Sequence, residues 1–211
     1  DSASLTTSVD AGSVEVFKKV RKVNQYTKVL KNLKRYYDCS PKNVLIKYIL
    51  TDVNSSFSEI ENFIKDIKKN GLINANFLIS TNYWNEKINL DQAALIVFFQ
   101  KKLSDEGAST VVLDEHVRPK ISKIGVNLFQ NLDKVDSLPL NAKKILEDLR
   151  KKQEQPKEII VWGVGEYADL LLDNSITFSN AKVKFFVDSS IFKQGMTFRK
   201  VKVLDPKEIK S

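Results

Sequence analysis

The chain of 211 residues holds one cysteine, one histidine, one methionine and only seven glycines. A single thiol, Cys39, rules out an internal disulfide and any zinc or iron–sulfur site built from several cysteines of this chain. No nucleophile elbow, P-loop, HExxH or kinase motif is present. Long apolar runs are also missing. Stretches such as Ala93–Phe99 fall far short of the ~20 residues that a membrane-spanning helix needs. The opening DSASLTTSVD has neither a Met nor a basic n-region. No signal peptide is read there, and the chain is expected to be a piece of a longer protein. Sparse cysteine fits a cytoplasmic location.

What is present suits a globular protein: 42% apolar residues, 28% charged and a net charge of +8. The lysines are spread along every expected helix and interleaved with acids. They are not gathered with aromatics on one face, so specific nucleic-acid binding is not expected. The excess positive charge leaves room for attraction to anionic small ligands such as nucleotides or sugar phosphates.

Hydrophobic periodicity places the elements. Leu5–Val9 is β-prone. Ser13 can cap a long helix whose apolar positions are Tyr26, Val29, Leu30, Leu33 and Tyr37, ending near Pro41. VLIKYIL (Val44–Leu50) is a strand. Ser56 and Glu59 offer a capping box for a helix carrying Ile60, Phe63, Ile64 and Ile67, which stops at Asn70-Gly71. Asn76–Ser80 is a strand, Asn89 can cap Leu90–Leu103, and Thr110–Leu113 is the next strand. This alternation over residues 1–117 calls for parallel strands with helical crossovers. Residues 118–155, with Pro119, Pro139 and the polar run KKQEQPK, read as a helical connector. Residues 156–211 open a second unit: strand Ile159–Trp162, helix Glu166–Asn174, strand Val183–Val187 and a short strand near Val201–Leu204. The fold class is α/β, a partial βα barrel or open parallel sheet followed by a small Rossmann-like unit.

The junction WGVGEYA (162–168) carries the main chemical signal. A strand must hand over to a helix within two residues. Gly163 permits the turn, Gly165 lets backbone approach a ligand, and the small Ala168 lets the helix pack on the strand. The helix start offers free N–H groups to a phosphate. Asp188, 25 residues after Gly163, stands close to where an acid holds ribose hydroxyls. Glu166 argues the other way. Its carboxylate competes with a phosphate for the same dipole and could instead bind a hydroxyl or amide of a sugar. A purely structural glycine turn is the alternative.

Two resemblances extend this reading. IIVWGVGEYADLLLDN, KFFVDSS, KQG and VKVLDPKEI resemble the small nucleotide-binding module of sugar-modifying proteins. That module is found on nucleotide-sugar acetyltransferases and epimerase/dehydratases, and on some methyltransferases and radical SAM proteins of surface-polysaccharide clusters. The resemblance implies nucleotide contact at Gly163, Gly165 and Asp188. The family usually continues with further strands, so the module here would be incomplete. LTTSVDAGSVEVFKKVRKVNQYTKVLKNLKRYY with NVLIKYILTDVNSSFSEIENFIKDIKKNGL resembles the later half of a radical SAM barrel. That family needs a CxxxCxxC loop holding a [4Fe–4S] cluster, which this chain lacks. The chain alone is therefore expected to be inactive, although its parent protein would be an enzyme. By resemblance, Ser8, Asp10 and Lys47 would lie near S-adenosylmethionine.

In parallel barrels, function sits at the C-terminal strand ends. Those ends carry Thr51-Asp52-Val53-Asn54, Asn82-Tyr83-Trp84 and Asp114-Glu115-His116. His116 is expected at a surface or turn, because three neighbours cannot all face one way from a strand. No metal site and no catalytic residue is assigned. The resemblances imply the C-terminal portion of a radical SAM-type protein of nucleotide-sugar or surface-polysaccharide modification, binding a nucleotide or sugar nucleotide. The rivals are a fragment of a nucleotide-sugar dehydratase, an acetyltransferase or a SAM-dependent methyltransferase, and a non-catalytic interaction domain.

Overall fold

The computed structural model describes residues 4–82, 87–136, 138–154, 157–174, 178 and 181–209. The chain is α/β and divides into two compact units. The first comprises residues 1–120 and 133–146, the second 121–132 and 147–211. The expected connector is thus shared out between the units.

In the first unit, strands β1 (Leu5–Ser8), β2 (Val44–Leu50), β3 (Asn76–Thr81) and β4 (Thr110–Leu113) form one sheet in the order β1-β2-β3-β4. All three pairings are parallel. Helices α1 (Val14–Arg21) and α2 (Tyr26–Cys39) join β1 to β2, α3 (Phe57–Lys69) joins β2 to β3, and α4 (Leu90–Asp105) joins β3 to β4. Along β2 every second residue is buried: Val44, Ile46, Tyr48 and Leu50 face one way, and the half-buried Leu45, Lys47 and Ile49 face the other. The buried face holds an aromatic cluster. Tyr48 lies edge-on to Phe63 of α3 and Phe99 of α4, with ring centroids at 4.9 and 5.1 Å, and Phe63 lies 6.3 Å from Phe77 of β3.

The expected single long helix is two helices. Lys22 adopts a left-handed conformation, with φ 61°, and ends α1 by donating its N–H to Lys18 O. Phe17 and Tyr26 are nine residues apart, so one continuous helix would set them on opposite sides, about 180° apart. The break lets both enter the core, where their rings meet at 5.4 Å.

The capping box at α3 is half formed. Ser56 Oγ accepts from Glu59 N at 3.2 Å. The Glu59 side chain does not turn back to Ser56. It accepts from Gly12 N at 2.6 Å. Gly12 is a glycine because α3 passes so close: a Cβ there would lie 2.2 Å from Glu59 O and 2.4 Å from Phe63 N. Asn89 does make a full capping box with Gln92.

Helix α5 (Arg118–Gln130) and helix α6 (Leu140–Glu154) follow β4. In the second unit, strands β5 (Glu158–Trp162), β6 (Lys182–Val187) and β8 (Val201–Leu204) are parallel, with helix α7 (Glu166–Asn174) between β5 and β6. A two-residue strand, β7 (Thr197–Phe198), runs antiparallel to β8. Leu172, Phe186 and Val203 form the buried core, flanked by Ile159, Val161 and Phe198. Between β7 and β8, Arg199 and Lys200 both take positive φ, 49° and 65°. This two-residue turn matches the twist of the hairpin. Arg199 is held there by Asp169, at 2.6 Å, and Asp173 of α7. No helix of the described residues is long and apolar enough to cross a membrane.

Candidate functional site

Two places gather polar groups at the C-terminal ends of parallel strands, one in each unit. In the second unit the strand-to-helix turn forms as its residue types dictate. Gly163 has φ 96°, a conformation that L side chains resist, and its N–H donates to Val187 O at 2.6 Å. Gly165 is the residue before α7, and its carbonyl accepts the helical bond from Asp169 N at 3.1 Å. A Cβ added at either glycine would meet nothing within 4 Å. Gly163 is therefore required by its backbone angle. At Gly165 neither packing nor a positive φ demands glycine, and the space beside it is open.

Asp188 meets this turn. Its Oδ2 accepts from Val164 N at 3.0 Å and from Lys193 Nζ at 3.4 Å, and its Oδ1 accepts from Ser190 N at 2.9 Å. Lys193 Nζ also donates to Val164 O at 2.7 Å. The Ser190 and Val164 amides, helped by Lys193, hold the Asp188 carboxyl below the usual carboxylate range. Gly163, Gly165, Glu166 and Asp188 thus belong to one turn and its bracing strand. Glu166 is exposed in the first turn of α7 and has no partner among the described residues. Lys193 had no signal in the sequence beyond its place in the loop after Asp188.

In the first unit, Ser8 and Lys47 are register partners on neighbouring strands. Asp10 lies just beyond the end of β1 and is 2% exposed. Its Oδ1 accepts from Ile49 N at 2.6 Å, so the side chain takes over a ladder position where the strand itself has ended. Arg21 pairs with its other oxygen. Burial raises the Asp10 carboxyl pKa, against the lowering effect of the Ile49 amide and of Arg21 and Lys47. Asn54 ties the same corner, donating to Asp10 O and Ile49 O at 2.9 Å each and accepting from Thr51 N at 2.6 Å.

Lys47 reaches across the open sheet face to Asp114, with Nζ 2.9 Å from Oδ2. Ser80 Oγ donates to the same oxygen at 2.9 Å, and His116 Nδ1 lies 3.2 Å from Oδ1. His116 Nε2 lies 3.2 Å from Thr81 O. Val117 N donates to Asp114 O at 2.9 Å, and this turn after β4 brings His116 back beside the Asp114 side chain. His116 lies in the turn after β4, as expected, and there it is half-buried and belongs to this cluster. The sequence reading misses the cluster because it takes residues 114–116 as strand, whose neighbours alternate in direction. Burial alone would raise the Asp114 carboxyl, but hydrogen bonds from Lys47 and Ser80 and the charge of Lys47 more than offset it, holding the group at about 2. These residues, with Ile49, Thr51, Asn82 and Glu115, line a cavity of about 600 Å³. Tyr83 and Trp84 lie outside the described residues.

Cys39, the only cysteine, is exposed at the end of α2, just before β2 begins. It thus sits toward the N-terminal side of β2, away from the strand ends that form the cavity. The chain does not supply the three thiolates an iron–sulfur cluster needs. Among the described residues, no group of three or more His, Cys, Asp or Glu side chains could hold a metal ion. Comparison with family models, curated proteins and solved structures finds no match to this chain.

Proposed function

We propose that this chain is a ligand-binding portion of a radical SAM-type protein of nucleotide-sugar or surface-polysaccharide modification. Its second unit binds a nucleotide or sugar nucleotide at the Gly163–Gly165 turn. The observation that carries this reading is Gly165. The chain's own geometry places no demand for glycine there, and the residue borders open space beside the start of α7. A glycine that leaves room for something outside the protein is what close approach of a ligand needs. The parallel arrangement of β5, β6 and β8, with the turn at their C-terminal ends, lends further support. In the first unit, the parallel order β1-β2-β3-β4 supports a segment of a βα barrel, with the Lys47–Asp114 cavity at the mouth where a barrel binds its ligands.

Calorimetric titration of the chain with UDP-glucose, NAD and S-adenosylmethionine tests the proposal. At least one is expected to bind, and Gly165→Ser is expected to abolish UDP-glucose or NAD binding without changing the thermal midpoint. If none of the three binds, the nucleotide reading is wrong.

A second reading, a non-catalytic interaction domain, rests on the exposed Trp162, Ile191 and Phe192, which are 67, 73 and 86% accessible. Exposed apolar groups of this size often mark contact surfaces. Light scattering of the isolated chain, showing self-association that Phe192→Ser abolishes, would favour it.

A further inference from the structure

The positive charge of the chain is not evenly laid out. Residues 14–42, which hold α1 and α2, carry nine lysines and arginines against two acids, Glu15 and Asp38. That is an excess of seven, where the whole chain has +8. The interleaving expected from the sequence holds on α3, where three lysines stand among three acids, and fails here. On α2 the charge also has a direction. Tyr26, Leu30 and Leu33 enter the core. At 3.6 residues per turn, Lys28, Lys31 and Arg35 fall within about 60° of one another on the opposite side, along about 10 Å of helix. All three are exposed, and none makes an ion pair among the described residues. The charges of α1 have a use within the fold. Arg21 pairs with Asp10, and Lys18 and Lys19 complement the C-terminal end of their helix. The α2 stripe has no such use. Lys28 stands in the first turn, where the helix dipole disfavours a cation and no acid accompanies it. Lys31 repels Lys28 at i, i+3 and Arg35 at i, i+4. The stripe thus costs folding free energy that no contact among the described residues offsets.

We infer that the outer face of α2 is a docking surface for an anionic lipid bilayer. The inference stands apart from the nucleotide reading of the second unit. Each lysine or arginine held near an acidic membrane raises affinity about fivefold. Lys22 and Lys42, exposed at the two ends of α2, extend the charge beyond the stripe. The crest of a helix is convex, and its apolar side stays in the core, so it can lie along a plane of headgroups without rearrangement. Two exposed groups suit the same plane. Tyr36 is 58% exposed beside the stripe, and Val23 is 46% exposed in the turn before α2. A tyrosine ring seats at headgroup depth with its hydroxyl toward water. A nucleic-acid strand asks for something else, a groove that tracks its backbone and rings on which its bases stack. Here Tyr36 lies about 100° round the helix from Arg35, off the stripe. The docking is electrostatic and peripheral, and no helix of the described residues enters the hydrocarbon to span it.

The test is sedimentation of the full chain with vesicles of phosphatidylcholine alone, and of phosphatidylcholine with about a third phosphatidylserine. The salt is ~0.1 M, where charges are felt over about 10 Å. Only the acidic vesicles are expected to carry the protein down, and ~1 M salt should release it. Lys28→Gln, Lys31→Gln and Arg35→Gln together should weaken binding about a hundredfold. They should leave the thermal midpoint unchanged or raise it, because mutual repulsion is relieved. Lys65→Gln, Lys68→Gln and Lys69→Gln together remove the same charge from exposed positions of α3 and should leave most of the binding in place. Cys39, exposed and the only thiol, ends α2 one turn beyond Arg35. An environment-sensitive fluorophore attached to it should brighten on docking. Equal weakening by the two triple variants overturns the stripe in favour of net charge alone. No binding to acidic vesicles, or a label at Cys39 that does not respond to them, overturns the inference. Single-stranded RNA that strips the chain from the vesicles at matched charge concentration overturns it too, and makes the partner a nucleic acid.

Discussion

Replacing Asp114 by Asn keeps its shape and removes its charge, and the consequence can be worked from the cavity. The carboxylate accepts from Lys47 and Ser80 at 2.9 Å each and faces His116 Nδ1 at 3.2 Å. Its displacement from 3.8 to about 2 corresponds to roughly 2 kcal/mol. Solvent at the open mouth screens part of that, leaving about 1 kcal/mol. Because the folded-state value lies below the unfolded one, this stability is present above pH ~4 and drains away as pH falls through about 2. Asp114→Asn should therefore cost about 1 kcal/mol in urea unfolding near pH 6, and the cost should shrink toward zero by pH ~2. Lys47→Met should cost a similar amount at pH 6, and the double variant should cost less than the sum of the two, because they share one interaction. The same loss for Asp114→Asn at pH 6 and at pH ~2, or strict additivity with Lys47→Met, would refute the ion-pair account of the cavity.

Four other outcomes follow from the packing and backbone geometry. Gly12→Ala drives a Cβ into the backbone of α3, 2.2 Å from Glu59 O, so it should destabilise the first unit by about 3 kcal/mol, read as a fall in the urea midpoint. Asn54→Ala strands two carbonyls and one amide at a buried corner and should cost about 3 kcal/mol, with faster exchange of the Thr51 amide. Gly163→Ala must hold a side chain at φ 96° and should lower the thermal midpoint by an amount equivalent to about 1–3 kcal/mol. Gly165→Ser, which keeps a good cap and meets no neighbour, should stay within about 0.5 kcal/mol of the wild type.

Local rules made much of the fold readable. The apolar run VLIKYIL marked β2, but only the fold showed that the strand alternates buried and half-buried residues, with Lys47 on the half-buried face. Asn89 announced the start of α4, and Asn70-Gly71 the end of α3, with Gly71 at φ 66°. Where those rules failed, a distant partner had intervened. Glu59 has the spacing of a capping box, yet it serves Gly12, 47 residues away. The run from Ser13 to Tyr37 has the composition of one helix, but the core needs both Phe17 and Tyr26 and so breaks it at Lys22.

The candidate sites divide along the same line. The Gly163–Gly165 turn was legible because strand, glycine spacing and helix are contiguous. The sequence by itself also settled that iron–sulfur ligation cannot come from this chain, since a count of cysteines needs no geometry. Only the tertiary structure decided that Lys47, Ser80 and Asp114 share one oxygen, across 67 and 34 residues of chain. It likewise decided that Asp188 spends its carboxylate on Val164 and Ser190. Side-chain periodicity tells which face a residue takes. It does not tell which strand will lie beside it, and a hydrogen bond forms only once that neighbour is in register.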